Sequence, residues 1–172
     1  MTSSWITLLL FISPTTATAE NESFGRRQAE ARGLCSDVVL SLALGVHAHA
    51  GVGQFPRVEV RRCPPVGGLQ LAAWETGVKA PSLVRDIERF SLGQVLVSGN
   101  IVVIEAPGPY DVILVLRYTR GQPHIEFSDS THDEIRIGSK GSVVILTLTN
   151  SQTHKKNVRT FTVNEDDLTL QR

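Results

Sequence analysis

The chain has 172 residues, with 17 Lys and Arg residues balanced by 17 Asp and Glu residues, and two cysteines. Hydrophobic residues make up 41% and charged residues 20%, a composition typical of a folded domain that excludes a disordered, collagen-like or coiled-coil chain. The formal net charge of zero provides no overall field to attract nucleic acid, so we expect no nucleic-acid partner. Two cysteines are too few for a four-cysteine zinc site or a dense disulfide scaffold.

Residues 1–19 have the pattern of a secretory signal peptide. An apolar block, Trp5–Ile12, is followed by Pro14 and then by small residues at positions 17–19, which suit a cleavage site. The block is much shorter than the roughly 20 residues that cross a bilayer as a helix, so we expect no membrane span in the mature chain. The sequence therefore predicts export, either to the periplasm and cell envelope or out of the cell.

Cys35 and Cys63 are predicted to form a disulfide, because an exported chain reaches an oxidising compartment in which a pair of cysteines is usually joined. The alternative is two buried free thiols. Neither cysteine lies in a motif typical of a catalytic nucleophile. A disulfide between these residues would stabilise the fold by limiting the freedom of the unfolded chain.

Residues 37–164 are predicted to form one β-rich domain, preceded by a polar segment, residues 20–36, that contains the residues for a short helix. An exposed acidic tail, residues 165–172, is expected to follow. Apolar and polar residues alternate with a period of two from Asp37 onward, which indicates half-buried strands. Further strand-like segments follow in chain order: Arg57–Arg61, Leu69–Trp74, Val95–Val97, Ile101–Ile104, Val112–Leu116, His124–Phe127, Ile135–Ile137, Val143–Leu148 and Arg159–Val163.

Local patterns refine this reading. Ser98-Gly99-Asn100 is typical of a hairpin turn between two strands. The uninterrupted apolar run Val112–Leu116 indicates a central strand covered on both faces. Ile125 and Phe127 are expected to point inward. Residues 82–91 fit a helical face and a polar strand almost equally well.

Together these patterns predict a mainly β fold, either a single β-sandwich or an open-barrel-like antiparallel domain. An α+β domain with one or two short helices is the alternative.

His47 and His49 are the residues whose spacing most strongly suggests a metal site. Residues two apart on a strand face the same side, so both imidazoles could bind one zinc or copper ion. Such a site needs a third ligand, and the candidates by residue type are Glu59, His124 and His132. The alternative interpretation is a pair of exposed histidines at a strand end. Zinc belongs only to the first interpretation, and no other cofactor is expected.

Two clusters of charged residues are interpreted as structural features rather than as ligand-binding sites. Acidic and hydroxyl side chains are dense at residues 126–134, which could bind calcium, but a solvated loop is favoured because Asp and Ser are also common in turns. Arg57, Glu59 and Arg61 share one strand face. We interpret them as a cross-strand salt-bridge ladder on an exposed face rather than as a carboxylate or phosphate site.

The aromatic residues Trp74, Tyr110 and Tyr118 could line a sugar or peptide site, although a role in the core is favoured.

The sequence favours a small exported domain that binds a protein or a small ligand without catalysing a reaction. The second hypothesis is a metal-assisted hydrolase that uses His47 and His49 with a carboxylate. The third is an envelope-associated domain whose exposed β edges pair with another chain. No motif in the chain identifies the ligand.

Overall fold

The computed structural model describes residues 33–45, 55–64, 67–164 and 168. These residues contain eleven β-strands and no α-helix. The strands are β1 (Asp37–Ala43), β2 (Arg57–Arg62), β3 (Leu69–Trp74), β4 (Leu83–Ile87), β5 (Val95–Ser98), β6 (Ile101–Ala106), β7 (Asp111–Thr119), β8 (Gln122–Thr131), β9 (Glu134–Lys140), β10 (Val143–Thr149) and β11 (Lys156–Thr162). The prediction of a mainly β fold is confirmed.

The strands form three antiparallel sheets, each open at both edges. Sheet A has the order β1-β2-β3-β4, sheet B the order β5-β6-β7-β8, and sheet C the order β11-β10-β9. Every hydrogen-bonded pair within them is antiparallel. None of the three sheets closes into a barrel.

Two hydrophobic clusters join the sheets into three layers. Cluster 1 lies between sheets A and B and contains Val60 and Leu71 from sheet A with Leu114 and Leu116 from β7. Cluster 2 lies between sheets B and C and contains Ile113 and Val115 from β7 with residues of β9, β10 and β11. Sheet B is therefore central, and the apolar run in β7 is buried on both faces, as the sequence predicts.

The turn predicted at Ser98-Gly99-Asn100 is a two-residue hairpin between β5 and β6. Gly99 has a φ of 51°, a left-handed conformation that costs glycine little. Asn100 is fully buried, and its side-chain amide donates to the main-chain oxygen of Tyr118 at 2.8 Å. Its Oδ1 also accepts the main-chain N–H of Asn164 at 2.8 Å, which ties the segment after β11 to sheet B.

Residues 82–91 contain the edge strand β4 rather than a helix. Leu83 and Ile87 of this strand lie opposite Ala73 and Leu69 of β3 and face cluster 1. The pairing with β3 decides between the two conformations that the local sequence allows, since an isolated short segment has no strong preference of its own.

The prediction that residues 126–134 form a solvated loop is wrong. Strand β8 continues to Thr131 and β9 begins at Glu134, so only two residues connect them. A bulge opposite Val115 and Leu116 interrupts the register of β8. Because of it, Ile125 packs against cluster 1 whereas Phe127 packs against cluster 2, so both side chains point inward but into different layers.

The termini are described only in part. The expected signal peptide, residues 1–19, lies outside the described residues, as does the segment 20–32. Leu168 is the single described residue of the expected exposed tail, and its side chain is buried in cluster 1. Within the described ranges, no helix is long and apolar enough to cross a membrane.

Tyr118 joins sheets A and B through its hydroxyl group. The side chain is fully buried, and its Oη lies 3.0 Å from the main-chain oxygen of Arg57 and 3.1 Å from that of Trp74. Burial raises the pKa of Tyr118 well above its usual range, because the charged phenolate would lose its hydration.

We expect Tyr118→Phe to lower the free energy of unfolding by about 1–2 kcal/mol at neutral pH, because the single O–H donor shared by the Arg57 and Trp74 carbonyls is lost. In the unfolded wild type the phenol ionises near pH 10, whereas the folded state keeps it protonated. Wild-type stability should therefore fall as the pH rises above about 10, and the Phe variant should lack this component. Urea unfolding at pH 8 and pH 11 measures both effects, and Tyr110→Phe, at an exposed tyrosine, is the matched control.

Candidate functional site

The disulfide predicted from the sequence joins Cys35 to Cys63, with 4.9 Å between the two Cα atoms. No cysteine of the described chain is free. The bond connects the segment before β1 to the end of β2. A structural disulfide of this kind is consistent with an oxidising, extracellular-type compartment.

The segment that carries Cys35 is held to the outer face of sheet A by polar contacts as well. The main-chain N–H of Cys35 donates to Gln70 Oε1 at 3.0 Å, and Arg61 Nη1 donates to the Cys35 carbonyl at 2.7 Å. Gln70 is almost completely buried, and its Nε2 donates to Asp86 Oδ1 at 3.1 Å. Residues on β2, β3 and β4 thus fix the position of the disulfide.

His47 and His49 lie outside the described residues, so the proposed metal pair has no structural account. Of the candidates for a third ligand, Glu59 is engaged by two arginines on β2. His124 is exposed on β8, and His132 stacks on Tyr110 with 3.9 Å between ring centroids. Among the described residues, no group of three or more His, Cys, Asp or Glu side chains is arranged to hold a metal ion.

The charged row of β2 differs from the ladder that we expected. Glu59 pairs with Arg57 (3.5 Å) and with Arg61 (2.7 Å from Nε to Oε2), so the ion pairs join residues two apart on one strand rather than opposite residues on two strands. Glu59 is only 6% exposed, so the face is not an open one. The pairing partners of Glu59 are Ser41 on β1 and Ala72 on β3, neither of which is charged, and this is why the expected cross-strand ladder is wrong.

The aromatic residues do not form one site. Trp74 is buried, donates its indole N–H to the Lys79 carbonyl at 3.2 Å, and lies under the Arg57 guanidinium, whose Cζ is 4.1 Å from the ring centroid. Tyr118 is in the core between sheets A and B. Tyr110 is 51% exposed and stacks on His132, at the end of sheet B where β7 begins and β8 ends.

A groove of about 1230 Å³ lies on one side of the sandwich of sheets A and B. We call it the β4–β8 groove, because its two walls are β4 (with Glu88 and Arg89) and residues 128–130 of β8. Leu69, Ile87 and Leu114 of cluster 1 line its apolar floor. The disulfide lines it at Cys35 and Cys63.

Both walls of the groove are sheet edges. β4 is hydrogen-bonded to β3 and β8 to β7, and in the described part of the chain no further strand pairs with either of them. Each edge therefore presents main-chain N–H and C=O groups that another strand can use. The groove exists because β8 places the small polar residues Ser128 and Ser130, and not large apolar ones, opposite β4.

The polar groups of the groove fall into two sets. Asp86, Arg89 and Asp129 are engaged: Asp86 accepts from Gln70, Arg89 Nε donates to the Tyr110 carbonyl at 2.7 Å, and Asp129 accepts the N–H of Ser130 at 2.8 Å. The guanidinium of Arg85 and the hydroxyls of the two serines make no hydrogen bond or ion pair with another described residue. These free groups are available to a ligand.

The arginine at the end of the groove depends on a glycine. Arg89 lies across Gly108, where an added Cβ would approach its Cδ to 2.5 Å. With its Nε bonded to the Tyr110 carbonyl, Arg89 ties the chain after β4 to the loop before β7. This contact joins the β4 wall of sheet A to sheet B at one end of the groove.

No protein-family model matches this chain, and the comparisons with curated proteins and with solved structures find no significant similarity. The structure defines the protein as a three-layer antiparallel β-sandwich with a groove between two open sheet edges. Its function must therefore be inferred from that groove.

Proposed function

We propose that this chain is an exported, non-catalytic binding domain that receives an extended polypeptide segment in the β4–β8 groove. The single observation that carries the proposal is that both walls of the groove are strand edges with no partner among the described residues. An extended segment that enters such a groove pairs its main chain with a wall, which provides affinity, and places alternate side chains in the groove, which provides specificity.

The dimensions of the groove favour a chain over a small molecule. Its volume of about 1230 Å³ exceeds the roughly 300–1,000 Å³ that is typical of small-molecule pockets. The wall formed by β4 has five residues, which at about 3.4 Å per residue is roughly 17 Å of edge. A segment of five or six residues would match this length.

The lining also favours a peptide over a sugar. Sugar sites usually provide an aromatic ring against which the sugar stacks, and no aromatic residue of the described chain lines this groove. An apolar floor with a few hydroxyl and charged groups suits alternating apolar and polar side chains of a strand. Export, which the signal-like residues 1–19 predict and with which the disulfide is consistent, would place the partner in the cell envelope or outside the cell.

A selected peptide tests the proposal. We expect the oxidised protein, used as bait for a phage-displayed library of random dodecapeptides, to enrich peptides that bind in the β4–β8 groove. In the variant Ser128→Trp the indole ring would fill the groove beside β8, and the affinity for these peptides should fall at least about tenfold, a loss of roughly 1.4 kcal/mol. Isothermal titration calorimetry with the synthetic peptides measures this.

The matched control is Thr160→Trp, which places the same ring on the exposed edge strand β11, away from the groove. This variant should bind the peptides as the wild type does. Equal binding by Ser128→Trp and the wild type, or the absence of any enriched peptide, would overturn the proposed function.

A further inference from the structure

We propose that Arg85 selects the occupant of the β4–β8 groove, and that the strand received there carries an Asp or Glu side chain that pairs with this guanidinium. The inference rests on the proposed function and adds the chemistry of the partner. It is carried by the position of Arg85, by its lack of a partner among the described residues and by the groups opposite it.

The register of sheet A places Arg85 on the inner face of β4. Arg85 lies opposite Leu71 of β3, and its neighbours on the same face, Leu83 and Ile87, both contact cluster 1. The side chain of Arg85 is nevertheless exposed, because it lies where sheets A and B separate to form the groove. A positive charge thus occupies a position at which its neighbours on the strand are apolar.

The charge of Arg85 is uncompensated among the described residues. Asp86 projects to the opposite face of β4, where it bonds to Gln70, and the carboxylate of Asp129 is turned to the main chain of its own strand. Glu88 also lines the groove, one residue beyond the end of β4, but it makes no ion pair with Arg85. Arg85 is therefore the charged group that a strand lying along β4 would meet first.

The opposite wall offers hydroxyl groups to the same acidic side chain. Ser128 and Ser130 lie opposite Leu114 and Val112 of β7, residues that face sheet A, so their hydroxyls are on the groove side of β8. A guanidinium binds a carboxylate through two parallel N–H donors, and a hydroxyl group can donate a further hydrogen bond. A bound acidic side chain would thus gain a charged partner in Arg85, whereas the other guanidinium of the groove, that of Arg89, already donates to the main-chain carbonyls of Tyr110 and Glu88.

The test compares peptide selection by the wild type and by Arg85→Glu, using a library of peptides with amidated C-termini so that only side-chain carboxylates count. The wild type should enrich Asp or Glu at one position of the groove-dependent peptides, and Arg85→Glu should enrich Lys or Arg at that position. Changing the acid of a selected peptide to its amide should weaken binding to the wild type about tenfold or more, but should leave binding to Arg85→Gln unchanged.

Lys140→Glu, which makes the same charge reversal on β9 away from the groove, is the control and should keep the wild-type preference. Peptides that lose affinity with Ser128→Trp but show the same charge preference in the wild type and in Arg85→Glu would overturn the role of Arg85 and leave the proposed function standing. Arg85 could instead serve only to prevent the edge of β4 from pairing with a second copy of the chain. In that case light scattering should show that Arg85→Gln forms dimers, and its charge preference should not change. This result would also overturn the inference.

Discussion

Leu116→Ala and Ile113→Ala are each expected to lower the free energy of unfolding by roughly 2–5 kcal/mol. The two residues lie on opposite faces of β7, Leu116 in cluster 1 and Ile113 in cluster 2, and both are fully buried. Each truncation leaves a cavity in a different layer, so both should be costly. Urea denaturation followed by tryptophan fluorescence of the oxidised protein measures the losses.

Measuring both variants tests whether both faces of β7 are buried, which neither variant tests by itself. In a two-layer sandwich one face of β7 would be exposed to solvent, and one of the truncations would cost less than about 0.5 kcal/mol. Val158→Ala, at a side chain that is 55% exposed on β11, is the control and should change stability by no more than that. A small loss for either core variant would contradict the central position of sheet B.

Loss of the disulfide is expected to lower the free energy of unfolding by about 3–4 kcal/mol in the chain-entropy model, because the bond closes a loop with a sequence separation of 28. We expect the double variant Cys35→Ala/Cys63→Ala to fold, because hydrogen bonds to Gln70 and from Arg61 still hold residue 35 to sheet A. Denaturation with and without dithiothreitol measures the effect.

Dithiothreitol should lower the stability of the wild type toward that of the double variant and should leave the double variant unchanged. If the reduced and oxidised wild type unfold at the same urea concentration, the disulfide does not constrain the unfolded chain. The stabilising role assigned to it would then be wrong.

Much of the fold follows from local sequence patterns. The hairpin at Ser98-Gly99-Asn100 is predictable because a two-residue turn needs a residue that tolerates positive φ, and Gly99 supplies it. The run Val112–Leu116 is predictable as a central strand because only a strand covered on both faces is uniformly apolar. The disulfide is predictable because the chain holds one pair of cysteines and residues 1–19 have the pattern of an export signal.

Other elements depend on contacts between distant residues. The conformation of residues 82–91 is set by pairing with β3, and the local sequence does not contain that information. The extent of β8 was missed because Ser128, Asp129 and Ser130 are residue types common in turns, whereas here they continue the edge strand. The third layer was also missed, since no local pattern shows that Phe127 and Ile125 pack on opposite faces of sheet B.

The candidate site could not be located from the sequence for the same reason. A groove between two sheet edges requires knowing that β4 and β8 are the outer strands of sheets A and B and that they lie on the same side of the sandwich. One sequence signal was available: the alternation of apolar and polar residues in β8 stops after Phe127. The residues that follow it form the polar wall of the groove.

Hydrogen–deuterium exchange of the protein with and without a selected peptide tests the proposed site most directly. If an extended segment pairs with the walls of the β4–β8 groove, exchange should slow at main-chain amides of β4 or of residues 128–130 of β8, and the edges β1, β5, β9 and β11 should be unaffected. Protection at one of those four edges, or at no edge strand, would contradict the proposal that the groove receives a strand.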